Sequence, residues 1–451
     1  MLWARDAFFY HIYPLGFCGA PRHNDYSLPA TPRLLKILDW IQHIKELGVN
    51  ALLLGPVFES GSHGYDIVDY QQIDRRLGDK GTFQQLTSRL HENGIRIVVD
   101  GVFNHVGRDF WAFKDVVKKG RQSEYVSWFD RVDFTAGSPY GDPFSYEGWE
   151  GHYNLVKLNL QNPAVKAYIF SAVKKWLDLY DIDGIRLDVA YCLDSSFIQE
   201  LAALGKSVKR DLWLMGEVIH GDYNRWVNPS LLDSVTNYEC FKGLYSSHND
   251  KNYFEIAYSL NRQFGEKGLY KDLMLYNFAD NNDVTRVGSI LHNPAYLYPL
   301  HALLFTMPGI PSVYYGSEWG IAGKKGDGSD EDLRPALDLT VVSKNSPNKD
   351  LAKAIRRFAQ IRKEHKALRE GNYRQLLVRS RQYAFFRQTR DEAIVVIVNS
   401  SSQSAAVDLE IPVDGSMLLD LVNNGAKFPI RNRKAYIPLS PYWTRILEVR
   451  R

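Results

Sequence analysis

Apolar residues along this chain alternate between two periods. Leu34, Leu35, Leu38, Ile41, Ile44 and Leu47 recur at helical spacing, and the run stops at Gly48. Thr31-Pro32 ahead of it has the form of an N-cap followed by proline at the first helical position. Residues 51–54, Ala-Leu-Leu-Leu, are uninterruptedly apolar, as expected of a parallel strand covered on both faces. The unit then repeats. A helix over 83–91 precedes a strand over 95–100, a helix over 164–180 precedes a strand over 184–188, and a helix over 197–209 precedes a strand over 212–217. With strands near 232–235, 274–278 and 312–315, and 8–13 as the first, the count is eight. Repeated helix-to-strand alternation implies a parallel sheet with right-handed crossovers, and eight units favour closure into a (β/α)₈ barrel.

Two regions break this rhythm. Residues 106–153 lack such units but carry Trp111, Tyr125, Trp128, Phe129, Phe134, Tyr140, Phe144, Tyr146 and Trp149. A structureless loop of that length is improbable in a folded domain, so an insertion subdomain over one end of the barrel is expected. Beyond about 368 the pattern turns to short β-rich runs separated by Gly, Asn and Ser, the mark of an antiparallel sandwich. The expected organisation is a catalytic α/β barrel over 1–368, interrupted at about 106–153, and a C-terminal β-sandwich over 369–451.

Composition narrows the functional classes. A formal net charge of +3 over 451 residues gives no basis for nucleic-acid binding, and the Arg-Asn-Arg-Lys run at 431–434 reads as a solvated turn. Cys18, Cys192 and Cys240 are too few and scattered for a disulfide framework or a zinc site. No stretch approaches the roughly 18 apolar residues of a membrane span, and the first residues lack a basic segment leading into an apolar one. A cytoplasmic protein without membrane partners is the expectation. Aromatic residues make up 13% of the chain, with 27 Tyr and 10 Trp. Most will be core, but flat rings with a polar edge also suit the two-sided surface of a sugar.

Three acids stand where an expected strand passes into a loop: Asp188 in Gly-Ile-Arg-Leu-Asp-Val, Glu217 in Leu-Met-Gly-Glu-Val and Asp283 in Asp-Asn-Asn-Asp. In a barrel, side chains at the carboxyl ends of the strands converge on one pocket. One such acid alone could cap a helix or meet a surface arginine. Three together repel one another, which is costly unless chemistry uses them. Retaining glycoside cleavage does: one carboxylate attacks the anomeric carbon while a protonated acid serves the leaving oxygen. Arg186, two residues before Asp188, points to the same side of its strand. It would lower the Asp188 pKa and keep it ionised, while a drier site would keep a proton on Glu217.

Taken together, these stretches resemble the alpha-amylase family, glycoside hydrolase family 13. Asp100-Gly-Val-Phe-Asn-His105, Gly184-Ile-Arg-Leu-Asp188, Gly216-Glu217 and Phe278-Ala-Asp-Asn-Asn-Asp283 look like its four signatures, in order and each at an expected strand end. The resemblance covers essentially the whole chain. It implies Asp188 as nucleophile, Glu217 as general acid/base and Asp283 as the carboxylate that grips substrate hydroxyls and stabilises the transition state. It further implies Arg186 beside the nucleophile and Tyr65, in His63-Gly-Tyr-Asp66, as the ring beneath the cleaved sugar. His105 would bind that sugar's primary hydroxyl, and Asp100 would be mainly structural. Read from the residues alone, Tyr65 and Asp66 could instead belong to a simple turn, and His105 to a helix cap or a core. Leu155-Val-Lys-Leu-Asn159 with Asn162-Pro163 is similar to an extra motif of the neopullulanase and cyclomaltodextrinase branch. That branch's usual N-terminal β-module is not expected, because the first barrel strand falls almost at Met1.

Three departures bear on specificity. Asn282 stands where the family usually has His; it can hydrogen-bond a hydroxyl but cannot become cationic. Ala190-Tyr191-Cys192 replaces the Lys and His that serve the acceptor side and a calcium site in typical members, so calcium is not supported and no cofactor is expected. Val189 follows the nucleophile, where Val tends to accompany action on α-1,6 bonds; simple β-branched strand packing is the alternative. The leading expectation is a hydrolase of α-1,4 bonds, with α-1,6 bonds open, in short or cyclic maltodextrins. A 4-α-glucanotransferase and a non-catalytic carbohydrate-binding protein are the alternatives, and the oligomeric state is unknown.

Overall fold

The computed structural model describes residues 3–326 and 329–450. Eight parallel strands form one sheet: β1 (Phe9–Ile12), β2 (Ala51–Leu54), β3 (Arg96–Gly101), β4 (Gly184–Leu187), β5 (Trp213–Gly216), β6 (Ser234–Val235), β7 (Tyr276–Phe278) and β8 (Ile310–Tyr314). In space they run β6-β5-β4-β3-β2-β1-β8-β7, and a parallel bridge between Thr236 and Tyr276 joins β6 to β7 and closes the barrel. Every residue of these strands except Arg96 is buried. Burial on both faces is why the strands read as continuous apolar runs rather than alternating ones. Inside the barrel, Phe9, Leu53, Val98, Trp213, Met215 and Tyr276 pack into one cluster, with the Phe9 and Trp213 rings stacked at 5.0 Å.

The helices between strands follow from their caps and apolar stripes. α1 (Ile41–Leu47) ends at Gly48, whose φ of 93° is the left-handed conformation favoured by glycine at a helix C-terminus. α2 (Lys80–Glu92) is capped by Asp79, α3 (Pro163–Tyr180) by Asn162 with proline at its first position, and α4 (Ser195–Val208) follows β4. One expectation needs correction. Residues 33–40 form a 3₁₀ helix rather than the start of α1, and no side chain caps it. The Thr31 amide donates instead to the Arg75 carbonyl, so Thr31 belongs to an incoming loop and not to a helix cap.

The insertion after β3 is built on its own aromatic cluster: Phe113 meets Phe129 at 5.1 Å and Tyr146 at 4.9 Å. Its three-stranded antiparallel sheet pairs His105–Gly107 with His152–Lys157, and so roots the subdomain at the rim of the barrel mouth. At the C-terminal end a six-stranded antiparallel sheet lies with the pair Ala405–Glu410 and Lys434–Leu439. Phe386, Val395, Ile397, Val407, Leu409 and Ile437 fill the space between them. Buried Arg387 reaches back to donate to the Thr306 carbonyl of the barrel. No described helix is long and apolar enough to cross a membrane.

Candidate active site

Strand register assembles the site. Asp100 is level with Arg186 across β3 and β4, and Met215 with Arg186 across β4 and β5. Paired residues in a parallel sheet share a face, so Asp100 and Arg186 point the same way, and Asp188 and Glu217 follow just beyond the ends of β4 and β5. Arg186 is the hub: Nη1 donates to Asp100 Oδ1 at 2.5 Å and Asp188 Oδ1 at 3.2 Å, and Nη2 lies 3.0 Å from Glu217 Oε1. Asp100, Arg186, Asp188 and Glu217 are each at most 5% exposed.

One guanidinium shared by three carboxylates compensates each of them incompletely. Burial, then the Glu217 charge, pushes the Asp188 carboxyl well above the usual carboxylate range despite the pull of Arg186. The sequence expectation ran the other way. It credited Arg186 wholly to Asp188, whereas the shortest contact of the guanidinium is to Asp100. Burial likewise raises Asp100 to about 6.

Glu217 Oε1 also accepts from the Tyr238 hydroxyl at 3.3 Å, and Oε2 accepts from the Val189 amide at 3.1 Å. Val189 is not packed in a strand, as its β-branched side chain suggested. It lies beyond β4 at φ 41°, ψ 46°, a left-handed conformation rare for a β-branched residue, and that turn aims its N–H at Glu217.

Asp283 follows β7 and carries Arg334 Nη2 on Oδ1 at 2.9 Å. Beside it, Asn282 Nδ2 donates to the Tyr65 hydroxyl at 2.8 Å, and that hydroxyl reaches Asp100 Oδ2 at 3.4 Å. Burial and the neighbouring Asp283 and Asp100 charges keep the Tyr65 phenol protonated well above its ordinary pKa. Tyr65, Asn282 and Asp100 thereby join the β2, β7 and β3 sides of the pocket. His105 is 1% exposed, Asn104 lies against Nδ1 at 3.2 Å, and Nε2 has no protein partner among the described residues. Burial, then the nearby His63, lowers it to about 3, so the ring is neutral and Nε2 is free to serve a sugar hydroxyl. Asp66 accepts from the Ser62 hydroxyl at 2.7 Å and lies 3.7 Å from His63 Nδ1, so its side chain is held within its own turn. The Tyr191 hydroxyl donates to Glu150 at 3.1 Å, tying the loop after β4 to the insertion.

Two contributors went unseen in the sequence. Tyr238 opens the helix after β6 (Tyr238–Asn249), the same strand-to-helix context as the acids, but a two-residue strand left too weak a signal to place it. Arg334 comes from the irregular stretch after β8; its only mark was the spacing of four from Asp330, which it contacts at 3.0 Å. Among the described residues no group of three His, Cys, Asp or Glu side chains converges as a metal site.

A barrel with paired buried carboxylates at the carboxyl ends of β4 and β5, a third after β7 and an aromatic hydroxyl between them is the architecture of a glycoside-cleaving enzyme. Residues 33–370 match the alpha amylase catalytic domain, and residues 373–446 match the maltogenic amylase C-terminal domain. The chain belongs to the alpha-amylase family of glycoside hydrolases. It is 32% identical over 421 residues to a cyclomaltodextrinase of Bacillus sp, covering 88% of this chain and 73% of that one. It is 31% identical to neopullulanase 2 of Thermoactinomyces vulgaris, over 99% of this chain and 78% of that one. The structure of cyclic alpha-maltosyl-(1→6)-maltose hydrolase from Arthrobacter globiformis matches with a TM-score of 0.82 and 29% identity, over 100% of both chains.

Proposed function

We propose that this chain is a retaining α-glucan hydrolase acting on α-1,4 bonds of short or cyclic maltodextrins through a covalent glycosyl-enzyme intermediate, with action on α-1,6 bonds decided by the panose and pullulan arms of the test below. The observation that carries the proposal is Arg186, which touches both Asp188 and Glu217. A single guanidinium on both carboxylates, with the amide of the residue after Asp188 also on Glu217, draws the two acids together. Double displacement uses a separation of about 5–5.5 Å, whereas inversion leaves room for water at roughly 6.5–9.5 Å.

In this reading Asp188 attacks the anomeric carbon with Oδ2, because Oδ1 is held by Arg186. Glu217, fixed by the Arg186 cation and the Tyr238 hydroxyl on Oε1 and by the Val189 amide on Oε2, passes a proton to the departing glycosidic oxygen. Water, deprotonated by the same carboxylate, then releases the sugar with net retention. Asp283, Asn282 and His105 hold hydroxyls of the cleaved sugar, Tyr65 lies beneath it, and Asp66 supports the Tyr65 turn. No metal ion takes part. Relatives named for cyclomaltodextrin, and for a cyclic substrate containing a 1→6 bond, support the small or cyclic substrate class.

The test is the anomeric form of the first product, followed by NMR on a cyclodextrin, maltotriose, panose, pullulan and soluble starch. The α-anomer should appear first, and kcat/KM for the small or cyclic substrates should exceed that for starch by roughly 5- to 200-fold. The preference should shift towards starch in Asn282→His. An initial β-anomer overturns retention. Longer oligosaccharides as the main product from maltotriose would make the chain a 4-α-glucanotransferase. Starch as best substrate, with Asn282→His unchanged, overturns the substrate assignment.

A further inference from the structure

We propose that Arg334 is a positioning residue for catalysis: it fixes the Asp283 carboxylate through its side chain and through the backbone of the residue before it. Four contacts hold its guanidinium. Nη2 meets Asp283 Oδ1 at 2.9 Å and Asp330 Oδ2 at 3.0 Å, Nε donates to the Asn282 carbonyl at 3.0 Å, and the group lies 4.6 Å from the centre of the Tyr13 ring. It therefore grips both the side chain of Asp283 and the backbone of the residue before it. One Asp283 oxygen is committed, and the other is left for substrate.

The backbone carrying Arg334 is itself held. The Leu333 carbonyl accepts from the Tyr314 hydroxyl and from buried Arg286, each at 3.1 Å. Gly16 presses so close to Arg334 that an added Cβ would lie 2.0 Å from its carbonyl oxygen. A guanidinium on a clamped backbone, 12% exposed and facing an aromatic ring, is pre-organised in a way that a surface ion pair is not. The geometry orients an anion rather than merely pairing with one, because Nε and Nη2 meet the loop at two points. A carboxylate held in one geometry by Arg334 is pre-organised towards a developing oxocarbenium charge, so its fixation acts on the transition state more than on substrate binding.

The inference rests on Asp283 being the stabilising carboxylate, so the experiment separates the two. Asp283→Asn, Arg334→Met, Arg334→Lys and the double variant Asp283→Asn/Arg334→Met are assayed on a maltooligosaccharide and on α-glucosyl fluoride, with melting temperatures alongside. Arg334→Met should lower kcat about 100-fold with KM within about threefold of the parent, the size seen on losing one fixed donor. Lysine, a point charge without the fork, should restore only part of that loss. In the Asp283→Asn background, Arg334→Met should cost less than threefold more. If Arg334→Met does not fold, Arg334→Lys carries the test, with a kcat loss of at least about tenfold expected and full activity overturning the proposal. Arg334→Met with unchanged kcat, or with the same loss in both backgrounds, overturns it. Asp283→Asn at parental activity instead overturns the role of Asp283 itself.

Discussion

Asp188→Asn should abolish turnover and yet make the protein more stable at neutral pH. The asparagine Oδ1 can keep the bond from Arg186 Nη1, now 3.2 Å, so the strand end stays anchored. What disappears is a buried charge in an over-subscribed site. At an effective dielectric of about 20, attraction to Arg186 at about 4 Å is worth about 4 kcal/mol, and the charges of Glu217 and then Asp100 oppose it. Desolvation of a buried ion adds several kcal/mol of cost, which leaves a net penalty on the order of 2 kcal/mol for holding Asp188 ionised. Because its folded pKa is raised, that penalty is absent below the unfolded value of about 3.9 and grows as pH rises through the folded value. The variant should therefore melt about 2–5 °C above the parent at pH 7.5, and the gap should shrink towards pH 4. Scanning calorimetry at both pH values checks the stability arm, and kcat on a maltooligosaccharide checks the other, with a loss of several powers of ten expected. A variant that melts below the parent at pH 7.5, or that retains more than about a hundredth of kcat, would refute the reasoning.

Glu217→Gln should slow maltooligosaccharides most and α-glucosyl fluoride least, since fluoride leaves without a proton; equal losses on the two would remove the acid role. Activity and melting temperature should survive exhaustive chelation, and a loss restored by added calcium would contradict that. Asp183, just before β4, is pushed up by burial but held at about 2 by His91, the Ile97 amide and Lys209. Its folded pKa is depressed, so it adds stability of about 2 kcal/mol above pH 4, which fades as pH falls towards 2. Asp183→Asn should lower the unfolding free energy by that amount in denaturant titrations at pH 7, and an unchanged midpoint would contradict the assignment.

The eight strands were legible because a parallel barrel buries both faces of each: the apolar runs at 51–54 and 95–100 place β2 and β3 almost to the residue. The turn from 31 to 40 misled because apolar spacing of three or four does not separate a 3₁₀ helix from an α-helix when the first turn is held by tertiary contacts. Asp188, Glu217 and Asp283 could be nominated from strand-end context alone. Their electrostatics could not, since the sense of the Asp188 shift is set first by burial and by the charge of Glu217, with Asp100, 88 positions earlier in sequence, competing for the same guanidinium. Val189 read as a strand residue because propensity favours β structure for valine, and only the turn beyond β4 overrides it. Tyr238 and Arg334 reach the pocket from a two-residue strand and an irregular loop, where neither periodicity nor composition marks a side chain as inward.

The barrel is closed at β6 by very little. β6 spans two residues, and it meets β7 through the Thr236–Tyr276 bridge, the Asn237 amide on the Tyr276 carbonyl at 2.9 Å, and the Asn237 side chain on Asn277 at 2.9 Å. On one side of this seam stand Glu217 and Tyr238, and on the other Asn282 and Asp283. The rest of the ring is stitched by longer ladders, up to four residues in register between β1 and β2 or between β2 and β3. Resistance to local opening scales with such bonds, so the wall between Glu217 and Asp283 is the most compliant part of the cylinder. Amides at 236–237 should then exchange with solvent ahead of those in β2 and β3. The pocket has a built-in direction of give, which widens or narrows the gap across the sugar while Asp100, Arg186 and Asp188 stay fixed on the stiff side.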